Sequence, residues 1–264
     1  MTTPYDFITD AGHDTDVIMM IHGMSQDRRL FDKQVAHFRQ NYKILNVDLP
    51  GHGAASNDTG PFGPREFTDA MFAAMNSAGV TNCHLWGTHT GASIGLIMAA
   101  ERPDAFRSMI LESPVIPGHA MASVGEIVAK VKTAYENGDM DDARQVWWKE
   151  GPWFSEMHAH PIEHRAQQQR DMITDFNGGP WINGSSQPVD AAAIDAGIRN
   201  FSMPVLLMTG EHDVPDFLEA ADILAGMIPK IERCTVPNAG GFALWEEPKT
   251  VNQKVGAFLS AHMR

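Results

Sequence analysis

The sequence has little positive charge. Its 264 residues include 20 Lys and Arg against 33 Asp and Glu, a formal net charge of −13. Because nucleic acids and anionic membrane surfaces attract cationic proteins, this balance predicts that neither is a partner. The chain also lacks an apolar run near the ~20 residues that a membrane-spanning helix needs, and its first residues lack the basic and apolar segments of a signal peptide. We therefore expect a cytoplasmic protein.

Cysteine is scarce as well. Cys83 and Cys234 are the two cysteines of the chain, and both lie in apolar, strand-like runs. Buried thiols are typical of such a setting, so we predict two core cysteines and no disulfide. With 43% hydrophobic residues, a chain of this length can bury a sizeable core. The length favours one domain with an insertion over two independent domains.

Short apolar runs alternate with amphipathic segments along most of the chain. The runs typical of buried strands are 17–21, 43–47, 82–86, 108–111, 205–208 and 231–236. Helical periodicity is found over 27–39, 65–78, 216–228 and the C-terminal residues. Strands that alternate with helices predict an α/β fold, with a mostly parallel central sheet and helices on both faces.

Residues 117–200 interrupt this alternation. They are rich in Trp, Met and His, with helical patterns near 127–135, 139–149 and 162–176. We predict that this segment is a helical cap inserted into a core made of residues 1–116 and 201–264. Ligands of open α/β sheets bind at the carboxyl ends of the strands, which such a cap would cover. Trp148 and Trp153 are the predicted pocket residues, and they indicate a small apolar or aromatic ligand.

Residues 87–91 read Gly-Thr-His-Thr-Gly, between the run at 82–86 and a helix of small residues. A strand, a sharp turn and a helix in this order form a nucleophile elbow, which lifts the middle side chain out of the sheet. The middle residue is His89. Histidine suits such a turn because it enters the left-handed backbone region more readily than most residues.

Four segments, in this order, resemble the capped members of the α/β-hydrolase family. They are Ile21-His22-Gly23-Met24, Asp48-Leu49-Pro50-Gly51-His52-Gly53, the elbow, and the run from Leu206 that ends in Asp213. The resemblance covers nearly the whole chain and implies an α/β-hydrolase fold with the cap inserted after the sixth core strand. It also implies that the amides of Met24 and Thr90 form an oxyanion hole and that Asp213 stands at the position of the triad acid.

The chain departs from this family at two positions. His89 stands where the family has its serine nucleophile. In the segment Asn238-Ala239-Gly240-Gly241-Phe242, Gly241 stands where the family has its catalytic histidine. The serine–histidine relay of the family is therefore absent, because both the hydroxyl and its base are missing.

His89 can do chemistry without that relay. A neutral imidazole with an ordinary pKa near ~6.5 needs no activating base. It can attack an acyl carbon to form an acyl-imidazole, or it can act as general base on a water molecule or on the substrate. Asp213 is its expected partner. We predict a cofactor-free enzyme that hydrolyses an ester, a thioester or a lactone.

Other functions fit the same residues. A base beside an oxyanion hole also suits a lyase or isomerase, and cofactor-free oxygenases share this fold. Alternatively, the protein is a catalytically inactive member that binds a small molecule in a retained pocket, or an interaction protein. Turnover that depends on His89 separates the enzymes from the binding protein. A homo-oligomer is an allowed assembly in each case.

Further polar residues are candidates for supporting roles. We expect His22 to support the oxyanion loop, and Glu112 matches a position where some family members carry the triad acid. His119 follows a strand on the catalytic side and is a candidate for a relocated base. His160 and His164 have the i, i+4 spacing of some metal ligands, but Pro161 lies between them. We predict no metal site.

Overall fold

The computed structural model describes residues 4–10, 15–160, 165–185 and 187–262. In this part of the chain seven strands form one sheet, in the order β1-β3-β2-β4-β5-β6-β7. The strands are β1 (Tyr5–Ile8), β2 (Val17–Ile21), β3 (Lys43–Val47), β4 (Cys83–Thr88), β5 (Phe106–Glu112), β6 (Val205–Gly210) and β7 (Ile231–Val236). The pairing of β1 with β3 is antiparallel, and every other pairing is parallel. The predicted mostly parallel sheet is confirmed.

Twelve α-helices surround the sheet in the described ranges. They are α1 (Asp32–Phe38), α2 (Pro64–Ser77), α3 (Thr90–Glu101), α4 (Ala122–Asn137), α5 (Met140–Glu150), α6 (Ser155–Ala159), α7 (Arg165–Asp175), α8 (Gly179–Ile182), α9 (Ala191–Arg199), α10 (Pro215–Met227), α11 (Ala243–Glu246) and α12 (Pro248–Ala261). The helix predicted over 162–176 is observed from Arg165. Residues 162–164, which include His164 of the metal-ligand spacing, lie outside the described residues.

Both faces of the sheet are covered. In β2, Met19 and Ile21 belong to an apolar cluster that includes residues of α2, α3 and α10. Ile18 and Met20 point the other way, into a cluster that includes residues of α1 and α12. Successive side chains of a strand alternate between the two faces, so a strand between two helical layers is apolar throughout. This arrangement explains the continuous apolar run at 17–21.

Two details of the strand order differ from the predictions. β1 is not among the predicted strands, because it lies at the sheet edge with partly exposed side chains and has no continuous apolar run. The helices α4–α9 follow the fifth strand rather than a sixth. Five strands rather than six precede these helices, because β1 is the one strand before β2 in the described part of the chain.

The helices α4–α8 are attached to the loops at the carboxyl ends of the strands. The side-chain amide of Asn177 donates to the carbonyl oxygen of Ser56 over 2.7 Å. Arg165 donates to the carbonyl oxygens of Trp245 and Glu246. α9 behaves differently, because its Ile194 and Ile198 pack in the same cluster as α3. The segment between β5 and β6 therefore contributes five helices above the strand ends and one helix beside the sheet.

The cysteines agree with the prediction in part. Cys83 is buried in β4 and Cys234 is partly exposed on the edge strand β7, and both are free thiols. Burial raises the pKa of the Cys83 thiol to about 12, so this sulfur stays protonated. In the ranges that the structure describes, no helix combines the length and the apolar character needed to cross a bilayer.

Candidate active site

His89 occupies a sharp turn between β4 and α3. Its backbone angles, φ 47° and ψ −111°, lie in the left-handed half of the map, which non-glycine residues rarely adopt. The turn also brings α3 very close to the sheet. A β-carbon on Gly91 would collide with the carbonyl oxygen of Ile21 in β2, so only glycine fits there. The elbow is thus built by a strained histidine and a glycine at a close approach.

The imidazole of His89 is buried between aromatic rings. It stacks on Phe217 at a centroid distance of 4.7 Å and contacts Phe242 at 4.5 Å. Its Nε2 lies 2.5 Å from the carbonyl oxygen of Gly241. Because a carbonyl oxygen only accepts, Nε2 carries the proton and Nδ1 keeps the free lone pair. Burial lowers the pKa of His89 to about 4, so the ring is neutral at pH 7.

Two other buried histidines hold the loop that follows β2. Nδ1 of His22 donates to the carbonyl oxygen of Gly23 over 2.7 Å, and its Nε2 accepts from the amide of Leu49 at 3.0 Å. Nε2 of His52 accepts from the amide of Ser25 at 3.1 Å. Burial lowers the pKa of both imidazoles, which keeps an acceptor nitrogen on each. His22 thus supports this loop through the turn after β3.

A cavity of about 170 Å³ lies between this loop, the elbow and the helices above. It is lined by Met24, Gln26, His89, Thr90, Val115, Val124, Val128, Trp147, Trp153, Pro180, Trp181, Phe217 and Phe242. Among the described residues, no protein acceptor bonds the backbone amide of Met24 or Thr90. Of the two predicted pocket tryptophans, Trp153 lines this cavity. Trp148 does not line the cavity, and its ring packs on Phe154 at a centroid distance of 4.8 Å. The other two tryptophans that line the cavity are Trp147 and Trp181.

Asp213 lies in the turn after β6, but it does not bond to His89 in the described structure. Its carboxylate accepts from the hydroxyl of Ser113 at 2.6 Å and from the amide of Val214 at 2.8 Å. Burial raises the pKa of Asp213 to about 6. Asp213 is thus held by Ser113 and Val214, whereas Nε2 of His89 donates a hydrogen bond to the carbonyl oxygen of Gly241.

The side-chain space at Gly241 is closed by the helical segment. A β-carbon there would lie 2.9 Å from the β-carbon of Trp153 and 3.1 Å from its carbonyl oxygen. Trp153 therefore packs where a larger side chain at position 241 would begin. The backbone carbonyl oxygen of the same glycine accepts a hydrogen bond from Nε2 of His89. His89 and Gly241 are therefore in direct contact.

Two buried glutamates hold the loop that carries Gly241. Oε1 of Glu112 accepts from the amide of Leu244 at 2.7 Å, and Oε2 of Glu246 accepts from the amide of Gly240 at 2.6 Å. Burial raises the pKa of Glu112 well above its ordinary value and that of Glu246 to about 7. Glu112 thus lies behind the site and positions the loop.

The remaining candidates lie away from the cavity. His119 is exposed, and its Nε2 lies 3.4 Å from a carboxylate oxygen of Asp195. His160 pairs with Glu156, its neighbour one helical turn earlier. No group of His, Cys, Asp and Glu that could hold a metal ion occurs in the described part of the chain.

Sequence reasoning missed several residues of the wall. Phe217 lies in the segment 216–228, for which periodicity predicts only a helix, and its ring stacks on His89. Gln26 had an available signal, because it is a polar residue four positions after His22 on the same loop. The sequence contains no comparable signal for Ser113. Its hydrogen bond to Asp213 depends on the left-handed backbone conformation of Ser113 itself (φ 42°).

Residues 16–248 match the family model described as alpha/beta hydrolase fold, and the chain belongs to this family. It is 24% identical over 262 residues to the carboxylesterase YbfK of Bacillus subtilis, which covers 96% of this chain and 83% of that protein. The structure is similar to that of MenH from S. aureus, with a TM-score of 0.81, 19% identity, and 99% of both chains covered. It is also similar to the enol-lactonase from Burkholderia xenovorans LB400, with a TM-score of 0.80, 17% identity, and 97% and 95% of the chains covered.

Proposed function

We propose that this protein is a cofactor-free hydrolase of small esters, thioesters or lactones, with His89 in place of the serine nucleophile. Residues 1–116 and 201–264 form the catalytic core, and α4–α8 act as a cap over it. The proposal agrees with the names of relatives and structural neighbours that are esterases and lactonases. It goes beyond them in assigning the chemistry to an imidazole.

One observation carries the proposal. His89, Met24 and Thr90 line one cavity, and the backbone amides of Met24 and Thr90 bond no protein acceptor among the described residues. Thr90 is the first residue of α3, where amides have no partner inside the helix and the helix dipole favours negative charge. A free lone pair beside an oxyanion hole is the arrangement that acyl transfer requires.

The reaction uses Nδ1 of His89. As a base, Nδ1 takes a proton from a water molecule while the water oxygen attacks the acyl carbon. The carbonyl oxygen becomes an oxyanion that accepts from Met24 and Thr90, each donor being worth ~3 kcal/mol. The carbonyl then re-forms, the bond to the leaving oxygen or sulfur breaks, and the imidazolium returns its proton to the leaving group.

Nucleophilic attack is the second route. Nδ1 then bonds to the acyl carbon, the leaving group departs, and water cleaves the acyl-imidazole. Intact-protein mass spectrometry after a rapid acid quench distinguishes the two routes, because only the second route leaves an acyl group on the protein.

Asp213 is a positioning residue in this proposal. Its carboxylate holds Ser113 and the turn after β6 behind the elbow, and it does not bond to the imidazole. The same observation favours a second candidate function, a binding protein without turnover. A buried imidazole with no carboxylate partner is a weak base at pH 7.

The test is hydrolysis of phenyl acetate, S-phenyl thioacetate and δ-valerolactone by wild type and His89→Ala. We expect wild type to hydrolyse at least one of the three, and His89→Ala to lose at least ~100-fold in kcat/KM, the usual contribution of a positioned base. Equal rates in the two proteins would contradict the proposal. Absence of turnover in wild type would favour the binding protein.

Two further variants serve as controls. His37→Ala changes an exposed histidine of α1 and is expected to retain the wild-type rate. His119→Ala tests the relocated base directly. If His119→Ala loses the activity instead of His89→Ala, the base lies outside the cavity and the assignment to His89 is wrong. Circular dichroism of each variant establishes that the fold is intact.

A further inference from the structure

The cavity is small. Its volume of about 170 Å³ is close to the ~150 Å³ of an engineered protein cavity that binds benzene, and it lies below the ~300–1,000 Å³ of pockets for drug-sized ligands. The three tryptophans and two phenylalanines of its wall leave room for one ring. The part of a ligand that lies inside this cavity is therefore about one ring in size.

The amide side chain of Gln26, a residue of the cavity wall, has no partner in the described part of the chain. Gln26 is 1% exposed, and neither its Oε1 nor its Nε2 has a hydrogen-bond partner among the described residues. A buried amide without partners costs free energy that a ligand can recover by pairing with it. Gln26 is also close to the reactive ring. A β-carbon on Gly23 would lie 2.7 Å from Oε1 of Gln26 and 3.3 Å from Nδ1 of His89.

The wall also limits the charge of the ligand. None of the residues that line the cavity in the described structure carries a formal charge at pH 7. A carboxylate placed there would be a buried charge with no cation beside it, which is strongly unfavourable. The indole N–H groups of Trp147 and Trp181 are two more donors that have no partner among the residues that the structure describes. The wall therefore favours a neutral ligand with acceptor atoms.

We propose that this cavity selects a neutral compound of about one ring in size whose polar edge has a donor beside an acceptor, as in a carboxamide, and that Gln26 binds that edge. The side chain of Gln26 has the complementary pair, because its Oε1 accepts and its Nε2 donates. This inference rests on the proposed function in one respect: it places the substrate of His89 in the same cavity. The binding that it predicts does not require turnover.

The test compares the affinities of benzamide and toluene by calorimetry. The first compound has the donor and acceptor pair, and the second has the ring without it. In Gln26→Leu we expect the ratio of benzamide affinity to toluene affinity to fall at least ten-fold from its wild-type value. An unchanged ratio, or no binding of either probe to wild type, would overturn the inference. Gln26→Met, which keeps the side-chain length, replaces the leucine variant if that variant does not fold.

Gln169 offers a matched control. It is also a wholly buried glutamine whose two amide atoms lack partners in the described structure, but it lies in α7 and does not line the cavity. Gln169→Leu is expected to keep the wild-type ratio. A fall in the ratio equal to that of Gln26→Leu would show a general effect of removing a buried amide, and the inference would fail.

Two more probes test size and charge. 1-Naphthamide has a second ring and benzoate has a charge in place of the amide, so each is expected to bind at least ten-fold more weakly than benzamide. Equal binding of either probe would overturn the corresponding part of the inference. Phenyl acetate hydrolysis in the same preparations separates the two proposals. If phenyl acetate is hydrolysed but the affinity ratio does not change in Gln26→Leu, the proposed hydrolase function stands and the proposed binding selectivity fails. If the ratio falls but phenyl acetate is not hydrolysed, the binding selectivity stands and the hydrolase function fails.

Discussion

The contacts of His89 decide its chemistry. Two aromatic rings and a carbonyl group surround the imidazole, and none of them stabilises a positive charge as a carboxylate would. The charged form is therefore disfavoured by desolvation, which is the largest cause of its low pKa. The elbow presents a histidine that is neutral far below pH 7 and has one free nitrogen.

This environment predicts an unusual pH profile. If neutral His89 acts as the base or nucleophile, kcat/KM for phenyl acetate stays level as the pH falls from about 7 to about 5 and then decreases with an apparent pKa of about 4. Initial rates across this range test the prediction. A decrease centred near the ordinary histidine value of ~6.5 would contradict it, because it would show an imidazole that is not desolvated.

The loop that contains Gly241 and the helical segment that contains Trp153 fit each other closely. The carbonyl oxygen of the glycine accepts a hydrogen bond from His89, while the tryptophan covers the side of the glycine where a side chain would begin. A histidine at position 241 would need this part of the helical segment to move. The two elements are therefore expected to respond together to substitution.

A double-mutant cycle tests this coupling. Gly241→His is expected to destabilise the protein by ~1–3 kcal/mol through overpacking, and Trp153→Ala by ~3–5 kcal/mol through a cavity. The double variant should lose at least ~1 kcal/mol less free energy of unfolding than the two single variants lose together, because the truncated tryptophan leaves space for the new side chain. Urea denaturation measures the change in the free energy of unfolding for the two single variants and the double variant.

Gly125 provides the control for this cycle. It lies in α4 with nothing within 4 Å of an added β-carbon. Gly125→His combined with Trp153→Ala should therefore be additive. If Gly241→His is additive as well, the packing between the glycine and the tryptophan does not govern the stability of this loop.

Buried carboxyl groups from distant parts of the chain meet behind the site. Glu112 ends β5, Asp213 follows β6 and Glu246 ends α11, and burial raises the pKa of all three. Such groups are most stable in the folded state when they are protonated. They stabilise the fold fully below their unfolded pKa values, and this stabilisation is lost as the pH rises through the folded values. His89, whose pKa is lowered, has the opposite dependence.

Glu246→Gln tests this prediction. The amide is neutral at all pH values, and its oxygen can still accept from the amide of Gly240. The variant should gain stability relative to wild type as the pH rises from about 5 to about 8, by up to ~3 kcal/mol for a pKa of about 7 in the folded state. Urea midpoints at both pH values give the difference. A constant difference between the two proteins would contradict the raised pKa.

The fold and the elbow were predictable because they depend on local patterns. Alternating apolar runs and helical periodicity mark a parallel sheet with two covered faces, and glycines around a single residue mark a sharp turn. The edge strand β1 escaped prediction, since an exposed strand has no continuous apolar run. The residues that line the cavity were predictable only in part, because Trp147, Trp148 and Trp153 look alike in the sequence.

The order of residues along the chain was enough to assign the family. The partners of each side chain depended on the packed structure. Nε2 of His89 bonds to Gly241 rather than Asp213, and Trp153 rather than Trp148 lines the cavity. Local patterns reflect the backbone conformation of neighbouring residues, whereas hydrogen bonds, burial and pKa values depend on groups that come together only when distant elements pack.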